Sequence, residues 1–123
     1  MDADRDDTAE RLAGSLSRIP GVEAVQICSR EGVLLGASSV EPGREAFLAA
    51  FVARRAESFG DGDLRGFGGR LVNGQLDRIV LAGDRREAVI MRYEQNYIWL
   101  SLAPGTSSDA LSPTIHQSLQ RFR

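Results

Sequence analysis

The sequence predicts an α/β domain of the α+β kind, with three helices and five strands in the order helix, two strands, long helix, three strands, helix. Three segments carry apolar residues at helical spacing, and five shorter segments are rich in β-branched and aromatic residues. Short connections join the neighbouring strands. A parallel crossover needs a dozen residues or more, so these strands are expected to pair antiparallel.

The first helix is expected to run from Asp7 or Thr8 to about Arg18, after a disordered N-terminus at residues 1–7. Its apolar residues recur on one stripe, and either Asp7 or Thr8 can cap its start. Pro20-Gly21 ends it, because proline cannot continue the hydrogen-bond ladder and glycine accepts the tight turn.

The first two strands are expected to form a hairpin, from Val22 to Ser29 and from Val33 to Ser38. The turn between them, residues 30–32, ends in Gly32, which tolerates a positive φ.

The long helix is expected to run from Arg44 to about Phe59, and its centre is apolar on every side over residues 46–53. A helix with one buried face shows a stripe, whereas a helix that is apolar all round must bury two faces. The sheet of so short a chain can cover one of them. The other face therefore needs another helix or another molecule.

Residues 60–75 are expected to be a glycine-rich connection, followed by strands at residues 76–82, 88–93 and 97–103. These strands are apolar at consecutive positions, which indicates a sheet covered on both faces. The last helix is expected to start at Ser112-Pro113, with the serine as cap and the proline in the first turn.

Composition excludes several functions. The 123 residues suffice for one domain, taken as residues 8–123, and the net charge of −2 gives no electrostatic footprint for nucleic acid. No apolar run approaches the roughly 18 residues that span a bilayer, so no membrane is expected as a partner. The one cysteine, Cys28, can form no disulfide within the chain, which fits a reducing, cytoplasmic setting.

The candidate chemical groups are sparse. All 15 basic residues are arginine, so no Walker or Schiff-base lysine exists, and the glycine-rich segment at 60–69 is interpreted as a loop. Asp61 and Asp63 lack the spacing of a calcium loop. The single histidine, His116, is expected at the surface, and Cys28 is expected as a buried apolar residue. No catalytic, cofactor-binding or metal site is predicted, and the protein is not expected to be an enzyme.

The order of elements and several stretches resemble the Roadblock/dynein light chain family, over nearly the whole chain. The stretches are Ile19-Pro20-Gly21-Val22, the turn glycine Gly32 with the strand after it, and the alanine-rich segment at 45–50. The resemblance implies a five-stranded antiparallel sheet with the long helix on one face and the two terminal helices on the other. It also implies a homodimer joined through the long helix and the edge strand that follows it.

In that family the dimer surface docks small Ras-like GTPases, and bacterial members regulate or scaffold these signalling proteins, some by stimulating hydrolysis. The resemblance thus implies a dimer interface and a partner-binding rim. The expected dimer residues are Phe47, Ala50, Phe51, Leu76 and Ile79, and the expected partner-binding residues are Arg44, Arg54, Arg55 and Ser58.

A second interpretation is a profilin-like sensory domain that binds a small ligand. It predicts a pocket between the sheet and a helix, which the first interpretation does not need.

Overall fold

The computed structural model describes residues 7–38, 45–57, 69–72, 75–82 and 86–121. Three helices are present in these ranges: α1 (Asp7–Ser17), α2 (Glu45–Glu57) and α3 (Ser108–Gln120). The strands are β1 (Val22–Cys28), β2 (Leu34–Ala37), β3 (Gly69–Val72), β4 (Gln75–Ala82), β5 (Glu87–Tyr93) and β6 (Asn96–Leu102).

The strands form one antiparallel sheet in the order β2-β1-β6-β5-β4-β3. The hairpin of β1 and β2 thus joins the meander of β4, β5 and β6 through the pairing of β1 with β6. All five predicted strands are confirmed. Gly32 takes the positive φ of 89° that the hairpin turn was expected to need.

β3 is a sixth strand, in the segment that the sequence analysis assigned to a connection. Val72 pairs with Gln75, so β3 and β4 are successive antiparallel strands. Asn73-Gly74, a strong turn signal in the sequence, lies between them and outside the described residues. The turn signal was visible in the sequence, but four residues that begin with glycine were too short to show a strand pattern.

The helices cover both faces of the sheet, as the resemblance implies. Residues of α1 and α3 share one buried cluster with Val89 and Met91 of β5. The alanines of α2 share a second cluster with Ile90, the residue between them. Successive side chains of a strand point to opposite faces, so β5 contributes to both cores and α2 lies on the face opposite α1 and α3.

The start of α3 differs from the prediction. The helix begins at Ser108, and the side-chain oxygen of Ser107 caps it by accepting a hydrogen bond from the amide of Asp109 at 3.2 Å. A carboxylate oxygen of Glu87 accepts another from the amide of Ser108, also at 3.2 Å. Pro113 therefore lies inside the helix, where its ring removes one backbone donor but does not end the helix.

Two helix boundaries border on residues that the structure does not describe. Asp7 is the first described residue of α1, so it belongs to a helix, and residues 1–6 lie outside the described residues. The predicted ends of the long helix, Arg44 and Phe59, also lie outside them, and the described part of α2 has 13 residues. Of the described helices, none combines the length and the hydropathy that a membrane crossing requires.

Gly36 brings β2 against α1. A Cβ at this position would lie 2.5 Å from the carbonyl carbon of Ala9 and 2.7 Å from the amide nitrogen of Glu10. Both atoms belong to backbone and cannot rotate away. Gly14, inside α1, has nothing within 4 Å of a Cβ placed there.

We therefore expect Gly36→Ala to lower the free energy of unfolding by about 1–3 kcal/mol, because the backbone of α1 must move away from β2. Gly14→Ala is the matched control, and we expect it to raise this free energy by about 0.5–1 kcal/mol through helix propensity. Urea denaturation of both variants measures the difference. Equal stability of the two variants would contradict this close approach.

Candidate functional site: the outer face of the long helix

Alanines attach α2 to the sheet. Ala49, Ala53 and Ala56 recur at i, i+4 and i+7, and all three are buried together with Ala50. They pack against the α2 side of the sheet, on residues that include Ile79 and Ile90. A methyl group is the smallest side chain that can fill this contact, so the helix backbone lies close to the strands.

Polar contacts hold both ends of α2. At its start, the side-chain amide of the buried Gln26 donates a hydrogen bond to Glu45 Oε2 at 2.9 Å. At its end, Glu57 Oε1 accepts hydrogen bonds from the Arg30 guanidinium at 3.1 Å and from the Tyr97 hydroxyl at 3.4 Å. The Arg30 guanidinium also lies 5.6 Å from the centre of the Tyr97 ring, within reach of a cation–π contact.

Two large apolar side chains on the opposite side of α2 point away from the sheet. Phe51 is 60% exposed and Leu48 is 43% exposed. Arg54 and Arg55, in the last turn, are also exposed. We call these four residues the outer face of α2. Helical geometry groups them, since positions 48, 51 and 55 follow at i, i+3 and i+7.

This face matches the expectation that α2 carries more apolar surface than one protomer buries. Val33, near the turn between β1 and β2, is the third large apolar residue that is exposed among those described. Phe51 and Leu48 differ from Val33 because they are neighbours on one helix. Contiguous exposed apolar surface is typical of interaction sites, whereas single exposed apolar residues are ordinary.

Two expected dimer residues are buried inside the protomer. Ala50 is 4% exposed and Ile79 is 6% exposed, and both belong to the core between α2 and the sheet. Little of either side chain is accessible in the protomer, so their role in a dimer stays a prediction. Within the described residues β4 lies between β5 and β3, so the edge strand after α2 is β3.

The structure describes some of the other predicted interface residues and not the rest. Phe51, Arg54 and Arg55 come together on the outer face of α2. Phe47 lies in α2 and Leu76 in β4, but their side chains lie outside the described part of the structure. Arg44 and Ser58 lie outside the described residues altogether.

The polar contacts at the ends of α2 have no signal in the local sequence. Glu57 lies 27 residues from Arg30 and 40 from Tyr97, and no local pattern links such positions. Burial, and next the negative charge of Glu57, raise the pKa of Tyr97 above its usual value, so the hydroxyl stays protonated as the donor that Glu57 needs.

Cys28 lies beneath α2 and is fully buried, as predicted. Burial raises the pKa of its thiol to about 11, and a backbone hydrogen bond with Ala50 offsets part of this rise. A thiol with so high a pKa is almost entirely protonated at neutral pH, which does not suit a nucleophile. Within the described ranges, no three His, Cys, Asp or Glu side chains are grouped to hold a metal ion.

Comparison with known proteins identifies the fold. No protein-family model and no curated sequence matches the chain. Among solved structures, an MglB protein with a tetrameric arrangement is similar at a TM-score of 0.70 and 16% identity, covering 95% of this chain and 88% of that one. A Roadblock/LC7 domain from Streptomyces avermitilis is similar at 0.63 and 16% identity, covering 91% and 92%.

Profilins share this architecture too. Schizosaccharomyces pombe profilin is similar at a TM-score of 0.60 and 13% identity, covering 94% of this chain and 95% of that one. The chain therefore has the Roadblock/LC7 fold, which the sequence resemblance predicted. The profilin match means that a choice between the two functional interpretations must depend on surfaces rather than on topology.

The buried thiol makes stability depend on alkaline pH. The pKa of Cys28 is raised from 9.0 to about 11 in the folded protein, so the unfolded chain loses this proton first as the pH rises. The protonated, buried thiol stabilises the fold fully below about pH 9, and this stabilisation is lost as the pH rises through about 11. A difference of two pKa units between the folded and unfolded states corresponds to about 2–3 kcal/mol in the free energy of unfolding.

We expect Cys28→Ala to weaken the alkaline loss of stability by about this amount in urea denaturation at pH 8 and pH 11. An unchanged pH dependence would contradict the burial of the thiol.

Proposed function

We propose that this chain, which has the fold of Roadblock/LC7 domains, is a homodimeric binding module that regulates or scaffolds a small Ras-like GTPase. The observation that carries the proposal is the outer face of α2, where Phe51 and Leu48 remain exposed beside two arginines. An aromatic anchor with an arginine rim is the composition typical of protein interfaces.

A second copy of the chain is the proposed cover for the apolar part of this face. Within the described residues, β3 pairs with β4 and has no neighbour on its other side. A protomer that meets its twin through α2 and β3 would bury Phe51 and extend the sheet across the dimer, the arrangement that the family resemblance implies. The tetrameric arrangement of the similar MglB structure supports self-association on this fold.

The arginines are the proposed contact with the GTPase. Arg54 and Arg55 lie one helical turn beyond Phe51, so a partner that docks on the paired helices would meet both guanidinium groups. Such a module needs no catalytic group of its own, because it acts by positioning the nucleotide site of its partner. We further propose a cytoplasmic location, since the cysteine is a buried thiol and not part of a disulfide.

We expect Phe51→Asp to convert the dimer to monomers, because it places a charge in the centre of an apolar interface and costs at least about 2 kcal/mol of association free energy. Phe51 is 60% exposed in the protomer, so the variant should keep its circular dichroism spectrum and its solubility. Light scattering over a range of concentrations measures the mass. The same substitution at Phe47 is expected to give monomers or insoluble protein.

Val33→Asp is the matched control for this experiment. Val33 is also an exposed apolar residue, at 39%, but it lies near the β1–β2 turn and not on α2. We expect this variant to remain dimeric. A Phe51→Asp variant that stays a dimer would refute the placement of the interface on α2. A wild-type protein that is monomeric at high concentration would refute the dimer itself.

We expect the double variant Arg54→Glu and Arg55→Glu to bind the GTPase about tenfold or more weakly while it remains dimeric, because charge reversal at the rim replaces attraction by repulsion. Binding is measured by pull-down and biolayer interferometry with the GTPase encoded nearest this gene, in both nucleotide states. Arg18→Glu, at an exposed position after α1 on the other side of the sheet, is the control. Failure of the wild-type protein to bind in either state would contradict the proposal.

A further inference from the structure

A cleft lies between α3 and the strands β4 and β5, on the side of the sheet opposite α2. Its volume is about 410 Å³, within the range of small-molecule sites. Its polar lining includes Arg78 from β4 with Ser112 and His116 from α3, and its apolar lining is Met91 and Leu119. It is separate from the outer face of α2, and the proposed function does not use it.

Arg78 occupies an unusual position on its strand. Val80, two residues along on the same face of β4, packs against the core beneath α1 and α3. Arg78 shares that inward-facing row and pairs across the strands with the buried Met91. A guanidinium on the core side of a sheet requires polar partners, since burial of an uncompensated charge is costly.

The hydrogen bond between Arg78 and Ser112 is long. Its guanidinium donates a hydrogen bond to Ser112 Oγ at 3.4 Å, near the upper limit for such a bond. A guanidinium has five donors in a planar fork that matches a carboxylate or a phosphate. His116 follows Ser112 by one helical turn, so its imidazole lines the same opening.

Asp77 and Arg92 also border the cleft among the described residues. They neighbour Arg78 and Met91 on their strands, so strand alternation turns their side chains to the other face of the sheet. Of the described charged or titratable lining residues, Arg78 and His116 therefore remain on the α3 side, with Met91 and Leu119 beside them as an apolar surface.

We propose that this cleft binds a small molecule that carries a carboxylate or phosphate group. The oxyanion accepts hydrogen bonds from the Arg78 guanidinium, the Ser112 hydroxyl and the His116 imidazole. The remainder of the ligand packs on Met91 and Leu119. Charge-assisted hydrogen bonds to a fixed fork provide both the affinity and the orientation.

The single histidine of the chain offers a direct test, because its ring resonances in NMR need no assignment. The wild-type protein is titrated with inorganic phosphate and, separately, with succinate, at fixed pH and ionic strength. We expect the His116 resonances to shift along a saturating curve for at least one of the two anions. Saturation by phosphate, by succinate or by both identifies the preferred group and supports the site in each case.

Arg78→Gln is expected to weaken this binding about tenfold or more, because it removes a charge-assisted bond. Arg11→Gln is the matched control, since Arg11 is exposed on α1 and does not line the cleft, and its titration should equal that of the wild type. Ser112→Ala, which keeps the charge, should weaken binding by a few-fold and decides the question if Arg78→Gln fails to fold. A shift that does not saturate with either anion, or that is the same in the folded Arg78 and Ser112 variants, would overturn the site.

Discussion

The contact between the alanines of α2 and the sheet is the constraint on which the rest of this structure depends. Ala49, Ala53 and Ala56 are buried against the sheet, where their small side chains let the helix backbone approach the strands. Leu48 and Phe51, on the opposite side of the same helix, are thereby directed outward. The exposed apolar surface at these two residues is thus a consequence of how the helix packs.

A second constraint fixes the orientation of α2 about its own axis, because contacts of alanine side chains alone have little directional preference. Gln26 holds Glu45 at the start of the helix, and Arg30 with Tyr97 holds Glu57 at its end. These carboxylates lie twelve positions apart on the inward side of the helix, so their hydrogen bonds fix which residues face outward. Directional polar contacts supply a specificity that apolar packing does not provide.

The sequence predicts the fold well where neighbouring residues determine the backbone conformation. It predicts the fold poorly where contacts between residues far apart in the sequence determine it. Gly32 marks its turn in the sequence because positive φ is a local requirement. Ser112-Pro113 has the residues typical of a helix start. The helix nevertheless begins about one turn earlier, where Ser107 and the distant Glu87 accept hydrogen bonds from its first amides. For α2 the pattern showed that two faces must be buried. It could not show which face meets the sheet, because residues 46–53 are apolar all round. The structure shows that Ala50 faces the sheet, together with Ile79 of β4.

The two candidate surfaces use opposite faces of one sheet, and β4 contributes to both. Ile79 lies beneath α2, while the adjacent Arg78 lines the cleft beside α3. Strand alternation makes this division obligatory, since neighbouring residues of a strand cannot share a face. A protein partner on α2 and a small anion in the cleft therefore do not compete for surface. The profilin-like interpretation predicts a pocket between the sheet and a helix, and the Roadblock interpretation predicts an exposed helix face. Because the sheet separates the two sites, the presence of one does not argue against the other.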